Sequence, residues 1–265
     1  MSAEPVKLST NAGGVATLTL NRPEVHNAFD DQLIAELTHK LRELDHDPAV
    51  RVVVLAADGK SFSAGADLNW MKRMARYSEA ENIRDAVALA NLMRTLNGMA
   101  KPTIARVQGA AFGGGVGLVA CCDIAVASGA AQFCLSEVRL GLIPAVISPY
   151  VVAAIGERNA RRYFLTAERF DATEALRIGL VHTAVPESEL GAAVERVVVE
   201  LLKGGPRAIA AAKELIAHVA HRPVDERLAE ETAARIAQIR VSPEGLEGIA
   251  AFLDKRPAGW VKPKP

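Results

Sequence analysis

Two glycine-containing loops and one carboxylate are the groups in this chain whose types and spacing could do chemistry together. Ser61-Phe-Ser-Ala-Gly-Ala-Asp-Leu68 and Phe112-Gly-Gly-Gly-Val-Gly-Leu118 each read as a loop that runs straight into a helix. At such a junction the first backbone N–H groups have no intrahelical partner and carry the positive end of the helix dipole. Two such ends facing one point could hold one developing oxyanion, such as a thioester oxygen becoming an enolate. Glu137, 23 positions after Gly114, stands in Phe133-Cys-Leu-Ser-Glu-Val-Arg-Leu-Gly-Leu-Ile-Pro144. Its neighbours Phe133, Leu135, Leu140, Leu142 and Ile143 are apolar, and a carboxylate held among them should have a raised pKa suited to proton exchange.

The elements that must position these groups follow from periodicity. Val15–Leu20 alternates like a strand and is closed by Asn21-Arg-Pro23. Leu33, Leu37, Leu41 and Leu44 mark one face of a helix, with Asp30 or Asp31 as its N-cap. Val50–Leu55 has the apolar run of a strand covered on both faces. A longer helix is predicted over Glu79–Asn97, and strands over Lys101–Val107, Asp123–Ala127 and Gln132–Leu135, with one short apolar piece at Ile178–Val181. From Glu187 the chain reads as almost wholly helical: Glu187–Leu202, Pro206–Ala220, Val224–Val241 and Pro243–Lys255, with both prolines at first-turn positions. An α/β core followed by a helical segment fits this order, divided at 1–190 and 191–265. The apolar positions Leu190, Val194, Val197, Val198, Leu201 and Leu202 are too many for a solvated helix, so self-association is expected through this tail.

Composition excludes several classes. Lys+Arg and Asp+Glu balance at 31 each, which gives no global pull towards nucleic acid or an anionic membrane. The charge-free run Val107–Cys122 is 16 residues, short of the ~20 that a membrane span needs. The three cysteines, Cys121, Cys122 and Cys134, show no Cys-x-x-Cys spacing and read as small core residues in a reducing compartment. A cytoplasmic location is expected. Gly115-Val-Gly-Leu-Val-Ala120 matches a dinucleotide fingerprint in form, but the preceding strand ends too early for the tight turn that motif needs. The P-loop glycine is missing at Val54, and neither a nucleophile elbow nor a His-Glu-x-x-His is present. His218 and His221 read as surface residues.

The two loops, Glu137 with its Leu140-Gly-Leu-Ile-Pro144 sequel, and Asn21-Arg-Pro-Glu-Val-His-Asn27 together resemble the crotonase (enoyl-CoA hydratase/isomerase) superfamily over nearly the whole chain. The resemblance implies an α/β spiral of β-β-α units, a C-terminal helical trimerisation segment, and a homotrimer or a hexamer of two trimers. No period of that kind is visible in the sequence. It implies an acyl-CoA thioester substrate, with coenzyme A entering as part of the substrate and no metal or redox cofactor. The oxyanion donors would be the N–H groups of Ala66 and Gly114, and Glu137 would be the catalytic group. Coenzyme A would lie against Val25, Ala64, Asp67 and Leu68, with the Ala64 carbonyl on the adenine amino group. Phe252 and Lys255 would reach the coenzyme A of a neighbouring subunit.

The chain departs from the family pattern at one position. Family hydratases carry a second glutamate on the helix after the glycine triplet, where this chain has Gly117. That brings single-glutamate Δ3,Δ2-enoyl-CoA isomerases into play. Yet Ser61–Lys72, Val116–Asp123 and Leu142–Tyr150 look most like bacterial methylglutaconyl-CoA hydratases of leucine breakdown, and like the related isohexenylglutaconyl-CoA hydratases of acyclic terpene breakdown. An RNA-binding role, known for one eukaryotic relative, finds no support in a net charge of zero. For a distal substrate carboxylate the candidate cations are Lys72, Arg73 and Arg139.

Overall fold

The computed structural model describes residues 4–261. Strand β1 (Val6–Thr10) pairs antiparallel with β2 (Val15–Leu20), which has the predicted bounds. Helix α1 (Asp31–His46) buries Leu33, Leu37, Leu41 and Leu44 on one face, and the Asp30 carboxylate accepts the Leu33 N–H at 2.8 Å as its cap. The chain then repeats one pattern. Strand β3 (Val52–Ala57) is followed by the short β4 (Ser61–Ser63) and by helices α2 (Leu68–Met74) and α3 (Glu79–Asn97). Strand β5 (Thr103–Val107) is followed by β6 (Ala110–Phe112) and α4 (Gly114–Cys121). Strand β7 (Ile124–Ser128) leads to β8 (Gln132–Cys134), a 3-10 turn (Glu137–Leu140) and α5 (Ser148–Thr166).

In each unit the longer strand joins one sheet and the short strand another. The six-stranded sheet runs β1-β2-β3-β5-β7-β10, where β10 is Thr183–Val185. The four-stranded sheet runs β4-β6-β8-β9, where β9 is Phe170–Asp171. Pairing is parallel except at β1/β2 and β8/β9. This is the expected β-β-α spiral. Each unit feeds its helix from the small sheet, so the glycine loops fall at the ends of β4 and β6. The intervening β6 also explains why the fingerprint-like glycines are no dinucleotide turn: they follow a three-residue strand of the second sheet.

The six-stranded sheet is covered on both faces. Along β3, Val53, Leu55 and Ala57 enter the main core with α1, while Val52 and Val54 face the other way. There, with Val15, Ile104 and Val126, they meet Leu190, Ala193, Val194 and Val198 of helix α7 (Leu190–Lys203). This corrects the expectation for the tail. The apolar positions of α7 do need a surface, but that surface is the chain's own sheet, where burying each large aliphatic side chain contributes about 1.5–3 kcal/mol. The helical appendage therefore begins after α7, at α8 (Pro206–Val219), followed by α9 (Glu226–Arg240) and α10 (Pro243–Leu253).

Lys213 of α8 reaches Asp123 at 2.8 Å, and the Glu244 carboxylate of α10 accepts the Arg207 and Ala208 N–H groups at the start of α8. His218 is not a bare surface histidine, since its Nε2 lies 2.7 Å from Glu231 of α9. The apolar piece at 178–181 is a turn after α6 (Ala172–Arg177) and before β10, with Ile178, Leu180 and Val181 buried. All three cysteines are buried thiols. No helix among the described residues is long and apolar enough to cross a membrane.

Candidate active site

The first glycine loop is held by a segment from far upstream. Phe29 forms a parallel bridge with Ala66: its N–H donates to the Gly65 carbonyl at 2.7 Å, and its own carbonyl accepts the Asp67 N–H at 2.8 Å. Both bonds belong to the flanking residues, so the Ala66 N–H points away from Phe29 and donates to no group among the described residues. Asp67 then starts α2, accepting the N–H groups of Asn69 and Trp70 at 2.8 and 3.2 Å. Its other oxygen takes Arg22 at 3.2 Å, and Arg22 also pairs with Asp30 at 2.7 Å. Burial would raise the Asp67 pKa, but the Trp70 and Asn69 N–H groups and Arg22 outweigh it and hold the carboxyl below its usual range. Its side chain is thus a support of the loop.

The second loop leaves β6 at Phe112. Gly113 has φ +50°, a region that L side chains rarely adopt, and its N–H donates to the Cys134 carbonyl at 2.9 Å. Gly114 opens α4, and its N–H, like that of Ala66, donates to no group among the described residues. Gly115 lies against the first loop: a Cβ there would stand 2.4 Å from the Ser63 carbonyl oxygen, closer than any side chain allows.

Glu137 follows β8 and begins the 3-10 turn, its carbonyl accepting the Leu142 N–H at 3.0 Å. A Cβ placed on Gly113 would lie 3.1 Å from Glu137 Oε1 and 4.0 Å from Gly65 Cα. The two loops and the carboxylate therefore converge within van der Waals distance. Glu137 Oε2 is buried and has no hydrogen-bond partner among the described residues. Burial pushes its pKa up, opposed in part by its own backbone N–H. An unpaired carboxylate of raised pKa beside two unpaired N–H donors can exchange a proton with a group whose oxygen those donors hold.

The remaining expected residues are placed unevenly. The Ala64 N–H donates to the His26 carbonyl at 3.0 Å, which sets the first loop beside the 3-10 turn Pro23–Val25 and so brings Val25 and Ala64 together. Leu68, the first residue of α2, is exposed. Phe252, at the end of α10, is 82% exposed, and Lys255 follows it with φ +53°. Of the candidate cations, Arg73 is taken by Asp31, whereas Lys72 and Arg139 are exposed and make no ion pair among the described residues.

Sequence reasoning missed Asn27. It is fully buried at φ +53°, accepts the Arg22 N–H at 2.7 Å, and donates to the Asp58 and Ser61 carbonyls at 2.8 and 2.9 Å. The signal was in hand, since Asn27 closes the Asn21–Asn27 motif and asparagine is among the residues that tolerate a left-handed backbone.

Residues 10–263 match the enoyl-CoA hydratase/isomerase family model, and the chain belongs to that family. A crystal structure of an enoyl-CoA hydratase from Shewanella pealeana is 47% identical, superposes with a TM-score of 0.94, and shares 97% of this chain and 96% of its own. A short-chain-enoyl-CoA hydratase of Clostridium acetobutylicum is 33% identical over 92% of this chain and 93% of the relative. A crotonyl-CoA hydratase of Syntrophomonas wolfei is 32% identical over 93% and 94%. The chain is an enzyme of the enoyl-CoA hydratase type, a hydro-lyase whose family acts on acyl-CoA thioesters.

Proposed function

We propose that this enzyme reversibly hydrates a branched glutaconyl-CoA, 3-methylglutaconyl-CoA in leucine breakdown or isohexenylglutaconyl-CoA in acyclic terpene breakdown. The observation that carries the mechanism is the Glu137 carboxylate, with Oε2 buried and unpartnered among the described residues and Oε1 3.1 Å from the Cβ position of Gly113, beside the two loops that carry the free Ala66 and Gly114 N–H groups. The Ala66 and Gly114 N–H groups polarise the thioester carbonyl, which makes the β-carbon electrophilic and stabilises the enolate. Glu137 orients the water and takes its proton as the oxygen bonds to the β-carbon; the same carboxyl delivers a proton to the α-carbon. The branched substrate is supported by the likeness of Ser61–Lys72, Val116–Asp123 and Leu142–Tyr150 to methylglutaconyl-CoA hydratases. The rival reading is an unbranched short-chain substrate, as the names of the Clostridium and Syntrophomonas relatives suggest.

A glutaconyl group carries a second carboxylate, which a purely apolar pocket would reject because an unpaired buried charge costs several kcal/mol. Lys72 and Arg139 are the free cations of the expected set. Discrimination by polar pockets can reach about 10⁴-fold, and kcat/KM for 3-methylglutaconyl-CoA is expected to exceed that for crotonyl-CoA by at least about 10²-fold. Equal rates on the two thioesters would overturn the substrate assignment. Conversion of a 3-enoyl-CoA to the 2-enoyl-CoA with no hydration product in the mass spectrum would favour the isomerase.

The functional unit is a homotrimer or a hexamer of two trimers. Its support is the apolar surface that α8–α10 leave open, at Ile216, Val241, Leu246, Ile249, Phe252 and Leu253. Light scattering is expected to give three or six times the chain mass. A monomer independent of concentration would refute the assembly, and with it the reach of Phe252 and Lys255 to a neighbouring coenzyme A.

A further inference from the structure

Gly113 and Gly117 are four residues apart at the start of α4, so their Cα atoms share one face of the helix. Over the first, the group in contact is Glu137. Over the second it is Ile147: a Cβ on Gly117 would stand 2.2 Å from Ile147 Cγ2, 2.9 Å from Ile147 Cβ and 3.2 Å from Met93 Cε. The first two distances are shorter than real Cβ contacts, so no side chain fits at 117 while Ile147 keeps its place. Ile147 is held firmly there. It is 3% exposed, caps α5, and its carbonyl accepts the N–H groups of Tyr150 and Val151 at 3.2 and 3.1 Å. One helical turn beyond the carboxylate, the side chain packed on this face of α4 is therefore a branched alkyl group.

We propose that Ile147 determines specificity for a β-branched acyl chain, packing against the substituent on the β-carbon while it fills the space in which a second carboxylate would stand. The proposal rests on the reading of this chain as a hydratase of a branched glutaconyl-CoA. With the thioester oxygen at the Gly114 N–H, the β-carbon lies beside Glu137. A methyl branch directed along α4, away from the carboxylate, then meets Ile147 and exchanges water for an apolar surface. An apolar wall suits a branch; a carboxylate at 117 would leave that branch against a charge.

The test compares 3-methylglutaconyl-CoA with glutaconyl-CoA, which differ only in the branch. One methylene in an apolar pocket is worth about 10–200-fold. Ile147→Ala is expected to lower the ratio of kcat/KM values by about tenfold or more, with glutaconyl-CoA changed by about threefold at most and Ile147→Val in between. If both substrates fall equally in Ile147→Ala, the proposal is overturned, whatever the wild-type preference over crotonyl-CoA. A second readout needs no substrate. Gly117→Ala should lower Tm by overlap with Ile147, and Ile147→Ala in the same chain should recover part of that loss. Losses in Tm that simply add would mean that the two positions do not share the space. Should Ile147→Ala not fold, Ile147→Val carries the substrate ratio with a smaller change; it keeps the Cβ and Cγ2 that crowd position 117, so it should recover none of the Gly117→Ala loss, and a recovery would place the overlap elsewhere.

Discussion

Glu137→Gln is expected to lower kcat for hydration by about 10²–10⁴-fold, the range that a general acid–base group contributes, and to fall at the upper end of it. The reason is local. Gly117 supplies no second carboxylate, and Ile147 occupies the space where one would stand. Glutamine keeps the shape of glutamate, so coenzyme A binding should survive. Near-native turnover in this variant would sink the assigned mechanism. The same substitution has a consequence for stability, because burial raises the Glu137 pKa above its unfolded value. Such a group favours folding in its protonated form, so its contribution is fully present below the ordinary carboxylate range and is lost as pH rises through the raised pKa. Glu137→Gln should therefore melt above wild type at neutral pH, with the difference shrinking in acid. The acid limb of kcat/KM in the wild type should likewise lie above the ordinary carboxylate range. A limb at the ordinary range would mean that the carboxylate is solvated in the working enzyme.

Gly114→Pro should remove one of the two oxyanion donors. Loss of one such donor costs about 10²–10³-fold in kcat, or ~3–4 kcal/mol. Position 114 is the first residue of α4, where proline is tolerated because its missing N–H has no helical acceptor. The ring also brings a Cβ, which would sit 3.0 Å from Phe29 Cε2 and press on the residue that holds the first loop. Gly114→Ala carries the same Cβ and keeps the N–H, so the rate difference between the two variants isolates the donor. The proline variant is expected to be at least about tenfold slower than the alanine variant and to unfold at a similar temperature. Equal rates in two folded variants would place the anion site elsewhere.

Much of what builds this site is local in sequence and was legible there. Glycine at 65 and 113 marks backbone of positive φ, and Asp30 before Leu33 marks a cap. The 3.6-residue spacing of leucines gives α1, and the Glu137 pKa is raised as expected, although only Phe133 and Leu135 of its named apolar neighbours are buried, while Leu140, Leu142 and Ile143 are exposed. These features depend on a few neighbouring residues and on rules of backbone geometry, so a chain read in order reveals them. The strands β4 and β6 have three residues each and run directly into the glycine loops, so no period or boundary marks them, and β1, with a single buried residue of five, has no alternation to show. The destination of an apolar face is also not encoded in its spacing. The valines of α7 fit a subunit interface and the sheet equally well, and only the accumulated packing of β2, β3, β5 and β7 decided for the sheet. The same holds for the contacts that make the site: Phe29 with Gly65 and Asp67, Gly113 with Glu137, and Gly117 with Ile147. Each joins residues 24 to 38 positions apart that approach only because two sheets and α4 are stacked at fixed distances. The residue types that can do the chemistry were determined by the sequence. Their convergence, and the side chain that fills the place of the absent glutamate, came from close packing among distant segments, for which no periodicity stands proxy.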